Sequence, residues 1–460
     1  MKNKNYVLIL ALVFLMPFNG LSIDIGVSIR PFNLLNFLLF FSVIKTVVKI
    51  LVSNTKTSPS SLTLVIKIFS LFIGITVLSN LIFILFGEVT PEALYYFDDK
   101  FSGGTLGFLR TSLKPLQVML SYLLIFSLTI VSITSIKKHS EIVSIAWSYV
   151  ISSSVAAFLG IFQYFYYVVS GVNLFPIYRG GLVGVNSYTQ DAVFVMGGIK
   201  FLRINAFAGE PKYLATFLIL GLGTILFFLI NQCSKKHKTV LAFLFLIQLL
   251  AVMLTFSTLG YAMLIICLLF YLYIAKRKLY LYTFLGIIAL LGYLFIGYPQ
   301  LVVDIFDARF LSRLGLEDMD VIYVEFIKEF PDYIWFGTGF GNFHLASFAQ
   351  TQKILSWNFG IILPKLGLFI VMATSGIFGT LIFYSIPILV IKRLSYLANY
   401  LNKNTADFYW SLKNLIIFLS IIGLVMRSMP LAFLWLGIGF SAIEEYAIHK
   451  KLRCSYSYRL

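Results

Sequence analysis

Arg203-Ile-Asn-Ala-Phe-Ala-Gly-Glu210-Pro-Lys-Tyr213 leads directly into the apolar run Leu214 to Asn231. A proline suits the first turn of a helix, where the N–H it lacks would have no partner anyway. A helix opening at Pro211 therefore continues through the apolar run, and crossing a bilayer's hydrocarbon core takes about 20 residues. The stretch thus places Arg203, Glu210 and Lys212 at the mouth of a membrane span. Packing needs no such collection of charge beside lipid, so the residues suggest a polar site facing one side of a bilayer.

The rest of the chain agrees with this reading. Of its 460 residues, 59% are hydrophobic and only 12% charged, and the mean hydropathy is +0.91. These values exclude an ordinary soluble domain and define an all-α, polytopic membrane protein. Apolar stretches of spanning length number about twelve: 5–22, 32–52, 62–87, 115–136, 141–170, 212–231, 239–256, 259–275, 279–297, 361–391, 408–426 and 429–447. Together they form a single membrane domain over residues 1–460. The first stretch follows Lys2 and Lys4 and ends in a small-x-small triplet, as a signal peptide does, but removing it would upset the charge alternation, so it is expected to remain as a span.

Orientation follows from the cations. With the N- and C-termini cytoplasmic, the inner segments hold 22 of the 36 Lys and Arg but only four of the 19 acids. The tally is then +18 inside and −1 outside, which recovers the net +17, as the positive-inside rule requires. The basic character reports topology, and nucleic-acid binding need not be invoked. Cys233, Cys267 and Cys454 suggest neither disulfides nor a metal cluster.

Three segments on the outer side are long: 88–114, 171–211 and 298–360. They form the expected active-site face, since connections of that length usually carry function. The span centres are nearly free of charge, whereas carriers and pumps that keep a charge there, at roughly 2.5–3.5 kcal/mol each, usually need it. Chemistry at the outer mouth is thus the expectation. Arg179, Arg203, Arg309, Arg313 and Arg427 lie on that side, with Lys212. Each either pairs with a neighbouring acid or binds an anion. Arg203 and Arg427 have no acid beside them in sequence, and a guanidinium grips phosphate oxygens in pairs, so a diphosphate is the natural ligand.

Glu210 has two readings. Before Pro211 it can accept from free N–H groups of the helix start, or it can act as a base that removes a proton from an attacking hydroxyl. His344 competes as the base, or is a surface or packing histidine. Asp318-Met-Asp320 spells a D-x-D motif, but the loop is too small for a nucleotide-binding domain, and an exposed amphipathic helix over 316–330 is the better expectation. Gly337-Thr-Gly339-Phe-Gly341-Asn342-Phe343 lacks any βαβ surroundings and reads as a sharp turn where backbone approaches a ligand or a helix.

Four segments occur in one order: Arg203 to Pro211 opening a span, the turn Thr255-Phe-Ser257-Thr-Leu-Gly260, the glycine series 337–343, and Thr374-Ser-Gly376-Ile-Phe-Gly379 in the next span. The series resembles the O-antigen polymerase and ligase superfamily, the Wzy and WaaL types, over residues 200–385. The resemblance implies a metal-independent integral-membrane glycosyltransferase of the C type (GT-C fold) in the bacterial cytoplasmic (inner) membrane, without a cofactor. Its donors would be undecaprenyl-diphosphate-linked glycans, its surroundings membrane lipid, and its partner protein a chain-length regulator. Arginines would stabilise the departing diphosphate and Glu210 or His344 would take the acceptor's proton. Family ligases carry a His-Asn pair just before the Gly-Ile-x-Gly motif, where this chain has Leu363-Pro-Lys365-Leu-Gly367. The resemblance is accordingly nearest to polymerases, with a ligase or a polysaccharide carrier as the alternatives.

Overall fold

The computed structural model describes residues 4–18, 23–24, 28–29, 31–53, 60–87, 114–179, 188–190, 193–196, 199–230, 235–275, 318–354, 364, 366–401, 403–426 and 429–457. Almost all of these lie in helices; the strands are three two-stranded antiparallel hairpins. Six of the described helices are long and apolar enough to cross a membrane, within Ser61–Phe86, Pro115–Ser135, His139–Ser170, Pro211–Leu229, His237–Leu254 and Gly367–Asn399. The chain is thus a helical membrane-type protein. The stretch expected at 279–297 lies outside the described residues.

By contacts the chain forms two compact units. The first comprises Met1–Leu39, Ser135–Gly315 and Leu394–Phe418; the second comprises Phe40–Thr134, Leu316–Arg393 and Leu419–Leu460.

The first unit is built around α5 (His139–Ser170), preceded in the chain by α1 (Lys4–Leu15), α2 (Pro31–Ser53), α3 (Ser60–Phe86) and α4 (Lys114–Ser135). Its start is set by Glu141, whose carboxylate accepts the N–H groups of Lys137 and Lys138 at 2.7 and 3.1 Å. Its end is set by Gly171, whose left-handed backbone turns its N–H onto the Tyr167 carbonyl at 2.8 Å. Between these ends α5 displays serines, which in apolar surroundings must find partners on neighbouring helices or on their own backbone. Ser148 and Ser152, four residues apart and so on one face, donate to the carbonyls of Leu10 and Phe14 on α1. Donors and acceptors advance together, so α1 and α5 run in the same direction.

The opposite side of α5 meets α6 (Pro211–Ile230) and α7 (Lys235–Leu254). Tyr149 donates to the Phe217 carbonyl at 2.9 Å, and the buried Gln248 amide donates to Ser153 Oγ at 2.9 Å and Ser154 Oγ at 2.8 Å. Gly221 makes this approach possible: a Cβ there would run into Gln248 Oε1 and Ser153 Oγ. The three helices are thus drawn together by polar groups at a point where one of them has no side chain. α8 (Thr258–Ala275) packs on α6, with Gly260 against Ala215.

The second unit has an aromatic core. Phe69 and Phe72 on α3, Tyr122 and Phe126 on α4, Phe383 on a long helix Gly367–Tyr400, and Phe433 on the helix Met429–Ser457 form a continuous set of ring contacts. Their centroid separations include 4.0 Å for Phe69–Phe126, 5.2 Å for Phe72–Phe383 and 4.9 Å for Phe383–Phe433. The last helix is fixed by Thr129 Oγ1, which donates to the Phe433 carbonyl at 2.9 Å, and by Glu444, which accepts the Ser61 N–H at 2.9 Å. A carboxylate at the first turn of α3 also opposes the positive end of its dipole.

Gly221→Val should lower the thermal unfolding midpoint of the detergent-purified protein, with an overpacking cost of about 1–3 kcal/mol. An unchanged midpoint would mean that Gln248 and Ser153 do not enclose this glycine.

Candidate functional site

In the first unit the segment 203–210 is held on two sides. Ile204 donates its N–H to the Leu254 carbonyl at 3.2 Å, and Arg203 Nε donates to the Thr255 carbonyl at 3.3 Å. These carbonyls belong to the C-terminal end of α7, where a cation is also favoured by the helix dipole. Arg203 therefore has a protein partner, although none stands beside it in sequence, and the residue is only partly buried. Two non-glycine residues take the left-handed region here, Ala206 (φ 43°) and Phe256 (φ 44°), one in each of the facing turns. Such conformations persist only where the surroundings hold them.

On the other side the segment is held by Gln163 of α5, fully buried. Its Oε1 accepts the N–H groups of Asn205 at 3.1 Å and Ala206 at 2.9 Å. Its Nε2 donates to Asn205 Oδ1 at 2.8 Å and Asn173 Oδ1 at 2.7 Å. Sequence reasoning passed over Gln163 and took Asn205 and Thr255 only as members of their segments. The available signal was an uncharged polar residue within an apolar span, which cannot be buried without partners.

Glu210 stands at the entry of α6. Its carbonyl accepts the N–H groups of Tyr213 and Leu214 at 3.0 and 3.2 Å, which begins the helix with Pro211 in the first turn. Its carboxylate is paired with Lys212, Nζ to Oε2 3.0 Å, and the same ammonium lies 5.2 Å from the centre of the partly exposed Tyr213 ring. Carboxylate, ammonium and aromatic face thus occupy four consecutive residues. Arg179 ends a hairpin strand paired to Tyr188. Arg309, Arg313 and Arg427 lie outside the described residues, as do most of 88–114 and 298–317.

The glycine series belongs to the second unit, and here the approach is to helices. The long helix α13 (Gly367–Tyr400), which follows α9 (Asp318–Glu329), α10 (Tyr333–Phe336), α11 (Phe343–Ala346) and α12 (Phe348–Ile354), is broken at Gly376 (φ 60°). The last carbonyls before the break accept from the glycine loop: Ala373 from the Thr338 N–H at 2.8 Å, Thr374 from the Gly339 N–H at 2.9 Å. The Thr338 hydroxyl adds a second donor to Ala373 at 2.9 Å. Gly339 (φ 83°) lies against Asn80, where a Cβ would come within 2.7 Å of that residue's Cα. Asn342 donates to Asn80 Oδ1 at 2.7 Å and to the Thr338 carbonyl at 2.9 Å, closing the loop.

His344 follows at once and is buried, 2% exposed, on the four-residue α11. That is the placement of the packing alternative; a substrate could reach the ring only after a rearrangement. Asp320 of the D-x-D motif is likewise buried and accepts the Leu366 N–H at 3.0 Å, beside the start of α13. The amphipathic helix expected there is present over Asp318–Glu329: Ile322, Tyr323 and Phe326 bury one face against Phe343 and Ala373, while Glu325, Lys328 and Glu329 form the exposed polar face. Burial also pushes the Tyr323 phenol far above its ordinary pKa, so it packs as a neutral ring.

The fold and these loops define a class, helical and multi-pass in character, in which polar turns are pinned to helix ends. No protein-family model matches the chain, and no curated protein matches it in sequence.

Gly339→Ala combines a left-handed backbone with a collision, and the strain alone should cost about 1–3 kcal/mol. Thermal unfolding in detergent should show it as more damaging than Thr338→Val, which removes one hydroxyl; the reverse order would refute the placement of this loop.

Proposed function

We propose that this chain is a lipid-diphosphate-dependent glycan polymerase of the O-antigen polymerase type, acting at the outer face of a bacterial cytoplasmic membrane. The observation that supports this best is the pairing of the four segments on which the resemblance rests. The Arg203–Glu210 segment packs against the turn that begins at Thr255. The glycine series 337–343 packs against Thr374–Gly376. Segments about fifty and about thirty-five residues apart thus meet as two built pairs, each fixing a polar turn at a helix end.

The chemistry needs little else. An acceptor hydroxyl attacks the anomeric carbon of the lipid-linked glycan, the new C–O bond forms, and the bond to the diphosphate breaks with its electron pair leaving on the lipid diphosphate. Arg203 and Lys212 supply positive charge for that leaving group. Glu210 takes the hydroxyl proton, moving between Lys212 and the acceptor. Arg203 is held at the end of α7 by its Nε bond to the Thr255 carbonyl, which fixes where its delocalised positive charge stands. The donor already carries an activated leaving group, so no nucleotide site is required.

The test is elongation of a synthetic undecaprenyl-diphosphate-linked repeat unit by the detergent-purified protein with chelator present. Wild type should build long chains; Arg203→Ala should fall by about 10²–10³-fold, the usual effect of one lost charge-stabilising donor. In cells the same variant should leave single-repeat glycans. Accumulation of lipid-linked repeats on the cytoplasmic leaflet would indicate a carrier instead. Glu210→Gln should lower the rate by about 10²–10⁴-fold, and unchanged elongation would remove it as the base.

A further inference from the structure

We infer that Gln163 is the positioning residue of the Arg203–Glu210 segment: its carboxamide sets where the two charged groups stand. The inference rests on the reading of that segment as the polymerase site. All of Gln163's polar atoms are used. One oxygen takes two successive backbone N–H groups, those of Asn205 and Ala206, and the nitrogen holds the Asn205 and Asn173 side chains, with the Phe175 carbonyl at 3.4 Å. Asn173 is itself fixed by accepting the Phe175 N–H at 3.1 Å. A planar amide with partners on both edges fixes position and rotation together.

The grip falls where the backbone most needs it. Ala206 is left-handed, a conformation that costs a residue with a side chain about 1–2 kcal/mol. The Ala206 N–H is one of the two that Gln163 accepts. Asn205 then closes a turn, its carbonyl accepting the Ala208 N–H at 2.9 Å, and Gly209 (φ 89°) delivers the chain to Glu210. Arg203 lies three residues before Ala206 and Glu210 four after it. Fixing the midpoint of this bend therefore fixes the separation of guanidinium and carboxylate. Gln163 reaches it from α5, anchored in turn to α1, α6 and α7.

Gln163→Met keeps the length and removes every hydrogen bond. Hydrogen exchange should show the Asn205 and Ala206 amides protected in wild type and in Gln163→Glu, whose carboxylate still accepts both, and exposed in Gln163→Met. In the elongation assay Gln163→Met should lose about 10²-fold in kcat, the scale of an ångström-sized misplacement, and Gln163→Glu should recover most of it. The decisive comparison is the double variant. If Gln163 acts through this segment, adding Gln163→Met to Arg203→Ala costs less than Gln163→Met costs in wild type, because only the Glu210 share of the positioning is left to lose; fully multiplied losses would mark general damage and overturn the inference. If Gln163→Met does not fold, Asn205→Ala takes its place in the same cycle with the same two outcomes. A wild type that does not elongate would end the polymerase reading while the exchange data still judged the clamp. A wild type that elongates beside an equally active Gln163→Met would end the positioning role alone.

Discussion

A backbone N–H or C=O in apolar surroundings must find a partner within the protein, because no water is there to supply one. Long helices meet this requirement automatically, and so most of the described chain is helix. The interesting residues are where a helix cannot meet it: at its ends, and at the break in α13. There the structure spends side chains and loops. Glu141 closes the start of α5, Glu444 accepts at the first turn of α3, the glycine loop donates to the carbonyls before Gly376, and Arg203 with Ile204 occupies the end of α7.

This constraint also joins architecture to site. A turn that satisfies a helix end is fixed as firmly as the helix, and its remaining polar groups become pre-oriented without further cost. Arg203 shows this: one guanidinium nitrogen completes α7 while the residue stays partly accessible. The left-handed Ala206 and Phe256 mark the same place, since strain of that kind survives only in a segment determined from several sides.

Helix positions were largely legible in the sequence. Stretches marked at 62–87, 115–136 and 212–231 correspond to helices Ser60–Phe86, Lys114–Ser135 and Pro211–Ile230, because length and hydropathy set them locally. The start at Pro211 and the sharp glycine turn were legible for equally local reasons. Burial was not: His344 and Asp320 carry recognisable chemistry, yet their exposure depends on helices far away in sequence. Gln163 was passed over for the opposite reason. It carries no distinctive chemistry, and its importance lies in partners about forty residues on, at Asn205 and Ala206.

The Thr129 to Phe433 hydrogen bond joins residues 304 positions apart. Ribosomes add about 5–20 residues per second, so α4 would wait between about 15 and 60 s for its partner helix to be made. During that interval its threonine, and the face of Phe126 that Phe433 later covers, stand in lipid or against some temporary neighbour. The second unit is therefore a late-closing structure, and its assembly in the cell is timed by the synthesis of the last helix.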